Sequence, residues 1–334
     1  MNINTLDIET KPYIKKFYVL GTIIELKVYG TNAPKGINEA IAKLIEIDNK
    51  MSVFKDFSDI SIINRNAGIS QCEVSADTYF VIKRALEYSK LSEGAFEPTI
   101  RPVVDIWGVN TDHAKIPSVN EIENNMRLIN YKDIILDDKA KSIKLRNKNQ
   151  AIDLGAIAKG YAADQVKDIL LKNNIKNAII DLGGNIYALG NKQDGNLWNI
   201  GIQDPFKKCG EYLGIISVQN KSIVTSGNYE RYFIKEGKRY HHIIDPKTGS
   251  PSEAGIISVT VISKYSIDAD ALATCIYVMG AKKGLKLIES IKDIEVIVIT
   301  NDKKIYVTLG IKDTFKITNK DYVCENSISI IGAC

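Results

Sequence analysis

Histidine, paired cysteine and long apolar runs are what this sequence has least of, and each scarcity removes a class of chemistry. Three histidines stand in 334 residues, His113 and the adjacent His241 and His242, so imidazole chemistry has few places to sit. Five cysteines, Cys72, Cys209, Cys275, Cys324 and Cys334, are odd in number, widely spaced and form no C-x-x-C pair. That argues against a disulfide framework and a thiolate zinc site, and for a reducing compartment. No apolar run reaches the ~18 residues of a membrane-spanning helix. The run Phe17–Ile24 behind Lys15-Lys16 is short, meets Glu25 and Lys27, and has neither a small-residue cleavage site nor a lipid-accepting cysteine. It reads as a strand and not as a signal peptide, and a cytoplasmic location is the expectation. Neither sign of charge dominates: 44 Lys+Arg against 40 Asp+Glu leave +4, too little and too scattered to imply nucleic acid or an anionic membrane.

What is present is ordinary for a globular protein, with 45% hydrophobic and 25% charged residues, and the length allows roughly two domain-sized units. The stretch 152–164, Ile-Asp-Leu-Gly-Ala-Ile-Ala-Lys-Gly-Tyr-Ala-Ala-Asp, organises the rest. A short apolar strand pattern at Ala151-Ile152 runs through Asp153 and a turn bracketed by Gly155 and Gly160 into a helix. A helix start offers free N–H groups and a positive dipole end to a phosphate, and Lys159 adds charge. Alternatively the glycines only let helix and strand pack closely. Their spacing fits neither G-x-x-x-x-G-K-[ST] nor G-x-G-x-x-G, so neither nucleotide fingerprint applies.

Along the chain, Lys16–Tyr29 alternates as a strand bent at Gly21, and Lys35–Met51 has helical periodicity. Ser58 caps a short helix stopped at Gly68, and Ser75–Ser92 is a long helix ending at Glu93-Gly94. Residues 94–108, with two prolines, two glycines and aromatic residues, suit an irregular loop around a flat ligand, or a buried plug. Ser118 and Glu121 form a capping box for a helix to Ile129. Residues 134–136 and 142–145 read as a hairpin. Ile-Asp-Leu-Gly recurs at Ile180, which suggests neighbouring strands whose aspartates meet. Further strands are expected at 199–202, 213–218, 222–225, 254–263, 295–300 and 304–308, and a helix over 269–279. Strands dominate with helices irregularly interspersed, which predicts an α+β fold.

Three clusters carry candidate chemistry. Asp270 and Thr274 lie four apart on one helix face, hard oxygen donors suited to Mg²⁺ and poorly to zinc, or a helix start compensating its own dipole. Thr225-Ser226-Gly227 reads as a small-residue turn with hydroxyls and amides for oxyanions. His242 stands three residues before Asp245 and a Pro-x-Thr-Gly turn. The imidazole suits a general base, and Asp245 either orients it or anchors the turn.

Together these segments resemble the ApbE family of FAD:protein FMN transferases. The resemblance rests on Ser58-Asp-Ile-Ser-x-x-Asn64, Gly94-Ala-Phe-Glu-Pro-Thr99 with Trp107-Gly108, Asp153-Leu-Gly-Ala-Ile-Ala-Lys-Gly160, Asp181-Leu-Gly-Gly184, Thr225-Ser-Gly227, His242-Ile-Ile-Asp-Pro-x-Thr-Gly249 and Asp270-Ala-Leu-Ala-Thr274. It spans about Phe17 to Thr308. Glu97 departs from the family's usual Asp, and the family's frequent lipoprotein signal is not seen. The resemblance implies an α+β fold of two similar interleaved halves with mixed and antiparallel sheets over residues 17–310, between an N-terminal extension (1–16) and a C-terminal tail (311–334). It implies Mg²⁺ on Asp270, Thr274 and the Ala156 carbonyl. It implies FAD, as substrate, on Met51, Ala95, Phe96, Glu97, Asp153, Lys159, Thr225, Ser226 and Ile244, with His242 and Asp245 catalytic. The activity implied is transfer of FMN to a Thr or Ser hydroxyl of an acceptor protein, with AMP leaving. Hydrolysis of FAD to FMN and AMP, or FAD carriage without chemistry, are the alternatives.

Overall fold

The computed structural model describes residues 11–326. Its frame is a nine-stranded sheet: β1 (Tyr13–Val19), β2 (Thr22–Val28), β3 (Ala178–Asp181), β4 (Asn185–Leu189), β5 (Lys221–Gly227), β6 (Ile256–Ser263), β7 (Glu295–Thr300), β8 (Lys304–Val307) and β9 (Val323–Asn326). The strands lie across the sheet in chain order. Every neighbouring pair is antiparallel except β8 with β9. Long excursions between consecutive strands therefore supply all the other elements. Between β2 and β3 come α1 (Ala33–Met51), α2 (Asp59–Arg65), α3 (Ala76–Leu91), α4 (Arg101–Trp107), α5 (Val119–Met126) and α6 (Ala158–Lys172), and between β6 and β7 come α7 (Ser266–Met279) and α8 (Ala281–Glu289).

Both faces of the central sheet are covered. One meets α1, α6 and α7 through residues such as Leu26, Leu44, Val166, Val259 and Leu272. The other meets a three-stranded sheet, with Trp198, Ile200 and Ile216 against Ile223, Ile262 and Ile297. Strand β6, Ile-Ile-Ser-Val-Thr-Val-Ile-Ser, is buried at every residue, which is why it reads as a near-continuous apolar run and not as an alternation. The architecture is α+β with antiparallel and mixed sheets, as expected.

Local sequence placed most elements. Ser58, Ser75 and Ser118 cap their helices through side-chain oxygens, Ser118 in a full capping box with Glu121, although that helix stops at Met126 and not at Ile129. Three expectations need correction. Lys16–Tyr29 is a hairpin and not one bent strand, because Leu20 and Gly21 both take left-handed φ, 55° and 70°, the two-residue turn that matches strand twist. Residues 101–107 are helical, with Pro102 in the first turn and Gly108 at φ 56° ending the helix. Ala151-Ile152 is no strand: the Asn64 side-chain amide takes both backbone groups of Ile152, at 2.7 and 3.0 Å, in place of a strand partner. The expected boundaries at 16/17 and 310/311 fall inside and before sheet structure, since β1 starts at Tyr13 and the last segment adds β9 and the strand Phe315–Ile317. Residues 1–10 and 327–334, parts of the expected extension and tail, lie outside the described residues.

Candidate functional site

The centre is a corner where α6 starts beside the start of α7. Gly160 lets them touch: a Cβ there would lie 2.4 Å from the Ser266 carbonyl oxygen and 2.7 Å from Ile267 Cα. Asp164, one turn on, accepts the Ser266 and Ile267 N–H groups at 3.1 and 3.0 Å, capping α7 from a neighbouring helix. Asp270 is 4% exposed. Its Oδ2 accepts the Gly160 N–H at 2.8 Å, and Lys159 Nζ stands 3.9 Å from its Oδ1. Burial pushes the Asp270 carboxyl up, and Lys159 and the Gly160 N–H draw it back.

Because α6 begins at Ala158, the Gly160 N–H is one of the donors its first turn leaves free, and Asp270 takes it. The Ala156 carbonyl, just ahead of the helix, has no protein hydrogen bond among the described residues. The Thr274 hydroxyl, half-buried one turn beyond Asp270, likewise has no hydrogen bond among them. The corner thus holds a buried carboxylate, a carbonyl and a hydroxyl, all hard oxygen donors. Asp268, which also opens α7, points elsewhere, to Arg84 and Tyr88 at 2.7 and 2.6 Å.

Asp153 and Lys159 flank this corner. Asp153 Oδ1 accepts the Gly155 N–H at 2.7 Å and its Oδ2 meets Arg101 at 3.1 Å; Lys159 Nζ donates to the Gly155 carbonyl at 3.1 Å. Sequence reasoning missed Arg101 and Phe54. The Arg101 guanidinium lies 5.1 Å from the Phe54 ring centroid, and Phe54 is 79% exposed just past Met51. An aromatic left in water and braced by a cation offers a flat apolar face. The neighbouring Met-Ser-Val-Phe run was its only sequence signal.

The aromatic residues of 94–108 are committed to packing. Phe96, beside buried Ala95, is buried against Tyr88, and Trp107 stacks on Tyr240 while its Nε1 donates to the Gly249 carbonyl at 2.8 Å. The plug is realised here in place of the open loop. Glu97 is likewise occupied: it accepts from Thr99 N–H, Thr99 hydroxyl and Tyr131 N–H at 2.8, 2.6 and 2.9 Å, and burial raises its carboxyl. Met51 and Ile244 are buried, Ile244 in a satellite core with Val103 and Trp107. The two Ile-Asp-Leu-Gly aspartates each tie down their own turn, Asp181 through the Gly184 N–H at 2.9 Å.

Thr225 and Ser226 are the closing residues of β5 and not a turn, and Thr225 shares a 2.8 Å hydroxyl–hydroxyl bond with Thr260 across the ladder. His242 follows the strand Lys238–His241. Its Nδ1 lies 3.2 Å from the Arg231 carbonyl oxygen. A carbonyl only accepts, so Nδ1 carries the proton and Nε2 keeps its lone pair. Desolvation, then the Arg231 charge, push the imidazole down to about 4. Asp245 takes the turn-anchoring option: its Oδ1 accepts the Lys247 N–H at 2.8 Å, and its carbonyl accepts from Thr248 and Gly249. The carbonyl of Arg231, invisible as a signal in sequence, orients the histidine instead.

Sheet and corner define an α+β protein with a polar corner of oxygen donors beside a lysine. The ApbE family model matches residues 20–298. The FAD:protein FMN transferase of Treponema pallidum (strain Nichols) is 31% identical over 333 residues, 94% of this chain and 92% of that protein. That of Klebsiella pneumoniae (strain 342) is 33% identical over 90% of this chain and 93% of its own. The crystal structure of the ApbE protein of Thermotoga maritima superposes with a TM-score of 0.85 at 31% identity, covering 91% of this chain and 99% of that one. Flavin transferase ApbE from Vibrio cholerae gives 0.82 at 29%, with the same coverage. The chain belongs to the ApbE family.

Proposed function

We propose that this protein transfers FMN from FAD to a threonine or serine hydroxyl of an acceptor protein, releasing AMP, in a Mg²⁺-dependent reaction. The observation that carries the reading is the bond from the Gly160 N–H to Asp270, which joins the start of α6, next to the unbonded Ala156 carbonyl, to the face of α7 that carries Asp270 and Thr274. Those three oxygen donors fit Mg²⁺, and the ion, when bound, would neutralise charge gathering on the diphosphate. Lys159 and the start of α6 suit the same diphosphate. Phe54 supplies a face for a planar ring, with Arg101 and Asp153 fixing its surroundings.

His242 is neutral at physiological pH, with Nε2 open. It accepts the proton of the acceptor hydroxyl as that oxygen bonds to the FMN-side phosphorus. The bond from this phosphorus to the AMP phosphate oxygen breaks, and AMP departs with the electron pair. The Arg231 carbonyl, already bonded to Nδ1–H, supports the imidazolium that forms. A host lysate incubated with the pure protein, FAD and Mg²⁺ should yield a covalently fluorescent protein band together with AMP. AMP without a labelled band would mean hydrolysis, and neither product would leave only FAD carriage.

A further inference from the structure

Between the strand Ser142–Leu145 and the start of α6 at Ala158 the chain runs without strand or helix, so bonds from elsewhere must place it. Ile152 is fully buried, and one side chain takes both of its backbone groups. Asn64 Oδ1 accepts the Ile152 N–H at 2.7 Å, and Asn64 Nδ2 donates to the Ile152 carbonyl at 3.0 Å. Only this orientation of the amide serves both partners, since an N–H donates and a carbonyl accepts. The next residue is held as well, with the Asp153 N–H on the Pro98 carbonyl at 2.8 Å. The turn then closes on itself through Asp153 Oδ1 and the Gly155 N–H, and Ala156 follows with its unbonded carbonyl.

Asn64 stands near the end of α2, and that helix is firmly seated. At its other end Asp59 Oδ2 accepts the Ser75 N–H, the Ser75 hydroxyl and the Thr78 hydroxyl at 3.1, 2.7 and 2.7 Å, which ties α2 to the start of α3. The Ser58 hydroxyl donates to the Ser52 carbonyl at 2.6 Å, and Ile60 and Ile63 are buried in the main core. Asn66, two residues on, differs from Asn64. Its amide donates to the Ile62 carbonyl at 2.9 Å and accepts from the Ser70 hydroxyl at 3.1 Å, bonds that stay local to the helix end.

We propose that Asn64 is a positioning residue for the Mg²⁺ site: it holds Ile152, and with it the turn that carries the Ala156 carbonyl, and thereby sets the affinity for the ion. This rests on the Mg²⁺ reading above. A main-chain carbonyl goes where its segment goes. Without Asn64, two buried backbone groups of Ile152 lose their partners, and the segment regains partners only by shifting, which carries Ala156 with it. Removing a group that orients a metal's donors typically costs about 10–100-fold in affinity. Asn64 holds a donor and not the reacting groups, so the rate on a fully loaded site should survive its loss.

The test titrates Mn²⁺, which takes the same oxygen donors, into the purified protein with and without FAD, and reads the free ion by electron paramagnetic resonance. Wild type should bind the ion and Asp270→Ala should not. Asn64→Ala should bind it about tenfold more weakly. Asn64→Asp keeps an acceptor for the Ile152 N–H and gives up the donor; it should also bind more weakly, and it carries the measurement if the alanine variant does not fold. Asn66→Ala, which loses bonds at the same helix end, should bind as wild type does. In FMN transfer, Asn64→Ala should need about tenfold more Mg²⁺ for half-maximal rate and reach nearly the wild-type rate at saturation. Folded Asn64 variants with wild-type Mn²⁺ affinity overturn the positioning role and leave the Mg²⁺ reading intact. A loss in Asn66→Ala as large as that in Asn64→Ala overturns it equally, since general loosening of α2 would then explain both. Mn²⁺ binding that does not depend on Asp270 removes the Mg²⁺ reading and this inference with it.

Discussion

The Gly160 N–H bonds Asp270 Oδ2 across two helices at 2.8 Å, a donor that the first turn of α6 would otherwise leave unpaired. One hydrogen bond thereby aims a buried carboxylate, satisfies a helix-start donor and couples the starts of α6 and α7. Each of those consequences can be measured.

Asp270→Asn and Asp270→Ala separate structure from chemistry. Asn keeps an oxygen for the Gly160 N–H and should melt near the wild type; Ala leaves that buried N–H unpaired and should cost about 1–3 kcal/mol. Both should abolish Mg²⁺-dependent AMP release. Full turnover by either variant would remove Asp270 from the metal site.

Gly160→Ala should separate the helices, because its Cβ would sit 2.4 Å from the Ser266 carbonyl oxygen. Overpacking of this kind costs about 1–3 kcal/mol, and turnover should fall with it. A melting temperature equal to wild type would show that the contact yields without strain.

His242→Asn should lower FMN transfer by about 10²–10⁴-fold, the usual effect of losing a general base, with FAD affinity nearly unchanged. The reverse pattern, weakened FAD binding with an intact saturated rate, would make His242 a lining residue only.

The pH dependence follows from the imidazole being pushed from 6.5 to about 4. An unperturbed histidine would make transfer decline through about pH 6.5; here the acid limb from His242 should lie near pH 4. Linkage has a definite sign. The unfolded chain binds the proton first, so His242 contributes stability above pH 6.5 that is lost as pH falls toward about 4. Wild type should lose more stability than His242→Asn across that window in denaturant titrations; parallel curves would contradict an imidazole held neutral by its folded surroundings.

Phe54→Ala should weaken FAD binding a few-fold to about tenfold, in line with ~0.5–1.5 kcal/mol for an aromatic contact, and leave the melting temperature of the free protein near wild type, since the ring is 79% exposed. FAD should also raise the melting temperature more than FMN does, because the diphosphate and adenosine add contacts and tighter binding stabilises by mass action. Equal shifts would count against a site built around the diphosphate.

Sequence by itself determined what depends on neighbours along the chain. Ser58, Ser75 and Ser118 announce helix starts because a cap is a bond to a residue three positions on. Asp270 and Thr274 share a face because helical periodicity puts them there. Ordered motifs sufficed to place the chain in its family. Only tertiary structure decided the bonds made across more than a hundred residues: Gly160 with Asp270, Asp164 with the start of α7, Trp107 with Gly249. It also decided which polar groups are already spent. Asp245 and Glu97 look free in sequence but hold their own turns, whereas Arg101 and the Arg231 carbonyl, with no motif to mark them, orient the groups around them. A carboxylate's availability depends on which donors surround it in space, and one-dimensional spacing carries no record of that.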